Sequence, residues 1–310
     1  MAADIAIEAT GLGRDYGTFC AVDAIDLSVR SGEFFGFLGP NGAGKTTTIR
    51  MLTTLLRPSR GSALVAGRGV TEDPRGVRRQ IGLVFQETTL DLDLTAEENL
   101  HFAARLYGLS RRESSARIGE ALDLFGLADR RGQRVRTFSG GMRRALDLAR
   151  GILHRPAILF LDEPTLGLDP GQRRRIWEFL RRLCDESGTT LFLTTHYLEE
   201  ADDCDRVAIV DRGRIIALDA PASLKRALGQ ESIELEGGPP DELAARVHEL
   251  TGIEPRRGSR GVTLIVADAE SVLSSLLPLT RGGVAVRVSP PTLEDVFLSL
   301  TEPRGAAAAG

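Results

Sequence analysis

"GPNGAGKTTTIR", Gly39–Arg50, decides how the rest of this chain is read. From Gly39 to Thr46 it fits GxxxxGK[ST], and it sits between the apolar run "FFGFLG" and a helical pattern, the setting that motif requires. Its glycines let backbone N–H groups turn inward around phosphate oxygens, and the following helix adds the positive end of its dipole. Gly39, Pro40, Asn41, Gly42, Ala43, Gly44, Lys45, Thr46 and Thr47 are therefore candidate nucleotide-binding residues. Lys45 is placed to reach the β and γ phosphates, and the Thr46 hydroxyl to ligate Mg²⁺. Only two lysines occur in the chain, Lys45 and Lys225, although an arginine-rich composition explains that scarcity equally well. Whether the chain merely holds a nucleotide or hydrolyses it depends on residues far downstream.

Working outward, Ile25, Leu27 and Val29 alternate as in a half-exposed strand, while "FFGFLG", "IGLVF", "ILFLD" and "LFLTT" read as short buried strands. Helical patterns lie between them. "TAEENLHFAARLYG" opens with a capping box, Thr95 with Glu98, and "GGMRRALDLARGIL" carries Met142, Leu146, Ala149 and Leu153 on one face. Buried strands alternating with helices predict an α/β sandwich with a mostly parallel sheet. "VAIVDRGRIIALD" reads as a hairpin turning at Asp211–Gly213, and beyond it the texture changes. The expected organisation is a nucleotide-binding domain over 1–229, a small α+β domain of ferredoxin-like pattern over 230–301, and a disordered tail over 302–310.

Two downstream stretches carry the chemistry. "AILFLDEP" delivers Asp162 at the tip of a buried strand, where open α/β sheets bind ligands. Asp162 suits Mg²⁺, and Glu163 suits the orientation or deprotonation of an attacking water. "TFSGGMRRALDLAR" places Ser139, Gly140 and Gly141 at the start of an amphipathic helix, a second anion-binding helix terminus in the same chain.

In this order the motifs resemble those of the ABC-type ATPases, the nucleotide-binding subunits of ABC transporters. The matching residues are Tyr16, Gly39–Thr46, Gln86, Ser139–Gly141, Asp162, Glu163, Asp169 in "GLDP" and His196, over about residues 5–218. The resemblance implies a P-loop NTPase fold of ABC type with added N-terminal antiparallel strands, and ATP and Mg²⁺ as cofactors. It implies that Tyr16 stacks on adenine, that Gln86 reaches Mg²⁺ and the attacking water, that Asp169 touches a second subunit and that His196 bonds the γ-phosphate. The Ser-Gly-Gly turn of one copy would close over the ATP of the other in a homodimer. Taken singly, Tyr16 reads as a turn aromatic, Gln86 as a polar strand end, Asp169 as a helix N-cap and His196 as a satisfied polar group. Two motifs depart from the family: the signature is "FSGGM", with Phe138 and Met142 for the usual Leu and Gln, and in "PTLGLD" Leu166 replaces a small or polar residue. The tail "SPPTLEDVFLSLTE" and "RIIALDAPASLK" are similar to the daunorubicin-resistance type, which implies export of a drug, antibiotic or other amphipathic molecule.

Composition fits these expectations. The longest apolar runs fall far short of the roughly 20 residues of a membrane-spanning helix, and "MAADIAIEAT" has no export signal. The resemblance implies a separate polytopic membrane permease subunit, with this chain peripheral on the cytoplasmic side of the cell membrane and met through segment 87–108, whose apolar residues read equally as domain core. Net charge is −4, so no nucleic-acid partner is expected. Cys20, Cys184 and Cys204 lie far apart and read as free thiols. A soluble ABC ATPase with a regulatory or nucleic-acid-associated role is the alternative, usually built with two such domains in one chain.

Overall fold

Alternating apolar residues build the first sheet. In the computed structural model, which describes residues 4–301 other than 230, 260, 281, 282 and 290, β1 (Ile5–Tyr16) pairs antiparallel with β2 (Phe19–Arg30). Ile25, Leu27 and Val29 of β2 are buried and the residues between them exposed, as their period of two dictates. After β3 (Phe34–Leu38) and α1 (Lys45–Leu52), the strands β4 (Arg60–Val65) and β5 (Arg68–Gly69) complete this sheet in the order β2-β1-β4-β5.

The second sheet holds the site. Helix α2 (Pro74–Gln80) leads into β6 (Ile81–Val84). Three helices follow, α3 (Ala96–Leu106), α4 (Arg111–Leu124) and α5 (Gly140–Ile152). The chain then alternates through β7 (Ile158–Asp162), α6 (Pro170–Ser187) and β8 (Thr190–Thr195), and closes with β9 (Arg206–Asp211) and β10 (Arg214–Asp219). Strand order is β10-β9-β3-β8-β7-β6, parallel except for β10. Every residue of β3, β7 and β8 is buried, which explains their unbroken apolar runs. Phe35, Phe37 and Phe160 each pack against Phe192 with ring centroids 5.4–5.6 Å apart. The β9–β10 turn forms as expected, with Arg212 and Gly213 both at positive φ.

Helices α3–α5 bury a core of their own, built on Leu100, Ile118, Leu122, Leu146 and Leu153. The Thr95–Glu98 capping box is present, and a second one, Ser110 with Glu113, starts α4. Cys184 and Cys204 are buried and Cys20 exposed, all three as free thiols.

The chain divides into two compact units after Asp219, ten residues before the expected boundary. The reason is α7 (Pro221–Leu228), which packs on α10 (Leu293–Thr301) of the second unit. Between them run β11 (Glu231–Glu236), α8 (Pro240–Thr251), β12 (Arg256–Arg257), β13 (Gly261–Val266), α9 (Ala269–Thr280) and β14 (Ala285–Ser289). This is a βαββαβ succession in an antiparallel sheet of order β12-β13-β11-β14, the ferredoxin-like arrangement. The expected tail, 302–310, lies outside the described residues.

Candidate nucleotide-binding and hydrolytic site

The carboxyl ends of β3, β6, β7 and β8 open onto one cavity of about 540 Å³. Parallel strands release their chains at the same edge, so motifs far apart in sequence meet there. Tyr16, Asn41, Gly42, Gly44, Lys45, Thr46, Thr47, Gln86, Glu163 and His196 all line it. Cavities of about 610 and 880 Å³ border α4–α6, but neither gathers these groups.

The loop before α1 is tight. Gly44 has φ +101°, and a Cβ at Gly39 would meet the Val210 carbonyl oxygen at 2.2 Å, so both positions require glycine. Ala43 is buried and its carbonyl accepts from the Gly213 N–H, which pins the loop to the β9–β10 turn. The Lys45 ammonium donates to the carbonyls of Gly39 at 2.7 Å and Pro40 at 3.1 Å, and lies 3.7 Å from Glu163 Oε1. Burial lowers the Lys45 pKa, partly offset by Glu163 and Asp162.

Asp162 is 3% exposed, and its Oδ1 accepts from the hydroxyls of Thr194 at 2.6 Å and Thr46 at 3.3 Å. Glu163 has φ +49°, a left-handed conformation that costs a residue with a Cβ of order 1–3 kcal/mol. Its N–H is held by Thr194, through the carbonyl at 3.1 Å and the hydroxyl at 3.2 Å. This twist turns the Glu163 side chain toward Lys45 and His196, whose Nδ1 lies 3.2 Å from Glu163 Oε1 without hydrogen-bond alignment. Tyr16 is half exposed, with the Arg14 guanidinium 4.8 Å over its ring.

Ser139, Gly140, Gly141 and Asp169 do not line this cavity. Ser139 caps α5, accepting from the Met142 N–H at 3.2 Å, and both Ser139 and Gly140 are exposed. Met142 packs its side chain against the α3–α5 core, so the departure from an amide there trades a polar contact for apolar packing. A Cβ at Gly141 would meet the Gln172 side chain at 2.4 Å, which accounts for that glycine by close approach. Asp169 is exposed and caps α6 through Gln172. Leu166, the second departure, lines the cavity.

One central residue was not singled out from sequence. Arg144, 8% exposed on α5, donates to the carbonyls of Pro164 at 2.6 Å, Phe85 at 2.5 Å, Glu163 at 3.1 Å and Asp162 at 3.4 Å. It ties the helix of the Ser-Gly-Gly turn to the ends of β6 and β7. Arginine at that place, on the side of the helix opposite the Met142, Leu146, Ala149 and Leu153 stripe, reads as a solvated helix charge, so nothing in the sequence pattern marked it.

Known proteins with this arrangement handle ATP. The sequence profile of the ABC transporter family matches residues 22–166. The daunorubicin/doxorubicin resistance ATP-binding protein of Streptomyces peucetius is 44% identical over 305 residues, 96% of this chain and 92% of that protein. The Nod factor export ATP-binding protein I of Sinorhizobium fredii is 41% identical over 300 residues, 96% of this chain and 86% of that protein. Among solved structures, an ATP-binding subunit of an ABC transporter superposes with TM-score 0.66 at 32% identity, covering 72% of this chain and 93% of that one. A dimeric ATP-binding cassette in a post-hydrolysis state with ADP and Pi gives TM-score 0.64 at 25% identity, covering 69% of this chain and 98% of that one.

Proposed function

This chain belongs to the ABC transporter family, as an ATP-binding and ATP-hydrolysing subunit, and on that premise we propose that two copies of it power export of an amphipathic compound through a separate membrane permease. The drug-resistance and Nod-factor-export relatives support the direction and class of transport. Among the described residues no helix is long and apolar enough to cross a membrane, so the path for cargo belongs to another subunit. Phe102, Leu106 and Tyr107 are exposed at the end of α3, and this apolar face is where the permease docks, on the cytoplasmic side.

Each site is shared between copies. The observation that carries this is the placement of the Ser139–Gly141 turn, apart from the cavity of its own chain and with Ser139 and Gly140 exposed. A phosphate cradle on one copy and a helix N-terminus on the other would enclose the γ-phosphate from both sides. Lys45 holds the β and γ phosphates, Tyr16 stacks on adenine and Asp169 meets the other copy. Thr46 and Asp162 fit Mg²⁺, a hard cation that takes one or two protein oxygens and completes its shell with phosphate and water. Bound there, the ion would neutralise charge on the phosphates. Gln86 orients the attacking water, Glu163 takes its proton, and His196 bonds the γ-phosphate.

Glu163→Gln tests the assignment. It removes the base and leaves the cradle, so ATP binding persists, turnover falls by about 10²-fold or more, and an ATP-bound dimer accumulates in light scattering. Wild-type turnover in this variant would remove Glu163 from the mechanism.

A further inference from the structure

Glu163 is one link in a closed circuit of side chains. Its Oε1 lies 3.2 Å from His196 Nδ1, and the His196 ring lies 4.0 Å from that of Tyr197. The Arg173 guanidinium sits 4.7 Å from the Tyr197 ring centroid, and Arg173 Nε is 3.1 Å from Glu200 Oε1. The circuit closes where the Thr165 hydroxyl, two residues from Glu163, donates to Glu200 Oε2 at 2.7 Å. Thr195 Oγ1 also reaches Glu200 Oε2, at 3.4 Å, and itself accepts from the Tyr197 N–H at 3.0 Å.

Glu200 joins two pieces of backbone. One is the turn 164–169, whose last residue, Asp169, caps α6. The other is the 3-10 turn Leu198–Asp203 that follows His196. The Glu200 side chain is 7% exposed, so little water competes for Oε2, which the Thr165 hydroxyl holds, while Oε1 meets Arg173 by charge without hydrogen-bond alignment. Glu200 does not line the nucleotide cavity, so its part in the chemistry is indirect.

We propose that Glu200 is a positioning residue that makes the attitude of His196 toward Glu163 follow the turn 164–169. A displacement of that turn, as when a second copy engages Asp169, is thereby carried to the hydrolytic pair. This rests on the roles of Glu163 and His196 given above.

Steady-state hydrolysis of ATP with Mg²⁺ tests it. Glu200→Ala should lower kcat about tenfold or more, since displacement of a reacting group by about 1 Å costs up to ~10²-fold, while KM changes by less than about threefold. Adding His196→Ala should cause no further loss beyond His196→Ala alone, because Glu200 acts through that ring. Glu200→Gln keeps an acceptor for Thr165 and should recover part of kcat. Thr165→Val removes only the hydroxyl from the far side of the link, so it gives the same kinetic signature in milder form and serves if Glu200→Ala does not fold. Wild-type kcat in both Glu200→Ala and Thr165→Val overturns the proposal, as does a double-variant loss equal to the product of the single losses. Undiminished turnover in Glu163→Gln would instead overturn the site reading beneath it.

Discussion

Lys45 occupies a position where an ammonium loses most of its water and is held by backbone carbonyls and two nearby carboxylates. Burial alone would drive it toward the neutral amine; the offsetting charges of Glu163 and Asp162 work against that. An incoming triphosphate brings stronger negative charge to the same spot. Lys45→Ala should therefore weaken ATP binding by about 10- to 100-fold, the worth of a charge-assisted hydrogen bond of about 1.5–3 kcal/mol. Calorimetry with ATP and Mg²⁺ checks this, and unchanged affinity would separate Lys45 from the phosphates. The place of Lys45 in the cavity was legible in sequence because its spacing from Gly39 is local. The strained φ of Glu163 was not, because it depends on Thr194, 31 residues away.

Helix α5 is anchored to the strands of the site by a buried arginine. Through Arg144 it holds carbonyls at the ends of both β6 and β7. Arg144→Leu would strand those acceptors in the core and should lower unfolding free energy by about 3 kcal/mol or more, at least two charge-assisted bonds of about 1.5–3 kcal/mol each. Urea unfolding reads the change. Arg144→Lys keeps the charge but lacks the planar fork, so it should restore only part. At the far end of the same bundle, His154 stacks on Tyr107 with centroids 3.6 Å apart, and its Nε2 bonds the Ile81 carbonyl at 2.9 Å. Burial lowers its pKa, so the folded chain keeps it neutral where the unfolded chain takes a proton. Below about pH 6.5 the unfolded state binds more protons, and this contribution to stability falls as pH drops. His154→Phe keeps the stack and should narrow the difference in Tm between about pH 7 and about pH 5. The expected helices 95–108 and 140–153 form because their caps and periodicity are local. Helix α4 carries an equally local capping box, Ser110 with Glu113, but only four of its fourteen residues are buried, so its apolar face is faint in sequence.

At the scale of the whole molecule, one chain holds a phosphate cradle and, apart from it, a Ser-Gly-Gly turn with Ser139 and Gly140 exposed. Two copies each lending that turn to the other would allow complementation. Lys45→Ala and Ser139→Arg chains, each inactive alone, should recover up to about a quarter of wild-type ATPase activity when mixed in equal amounts, because half the dimers are mixed and each has one intact site of two. No recovery would mean that each chain hydrolyses ATP by itself. The division after Asp219 belongs to this scale too. The short helix "PASLKRALG" carries no local mark of the unit it joins, and its packing on α10, some 70 residues later, decides the matter.

The sequence by itself determined the parallel sheet, the ATPase family and the order of its motifs along the chain. Each of these rests on spacing along the chain: strand period, helix caps, and glycines at fixed offsets from Lys45. Only the tertiary structure decided which distant groups share one cavity, that Glu163 takes a left-handed φ where Thr194 holds its N–H, and that Arg144 and Glu200 each bridge separate stretches of backbone. Those contacts form between residues brought adjacent by strand order, and a buried charge paired with carbonyls or hydroxyls leaves no periodic trace in the chain that makes it.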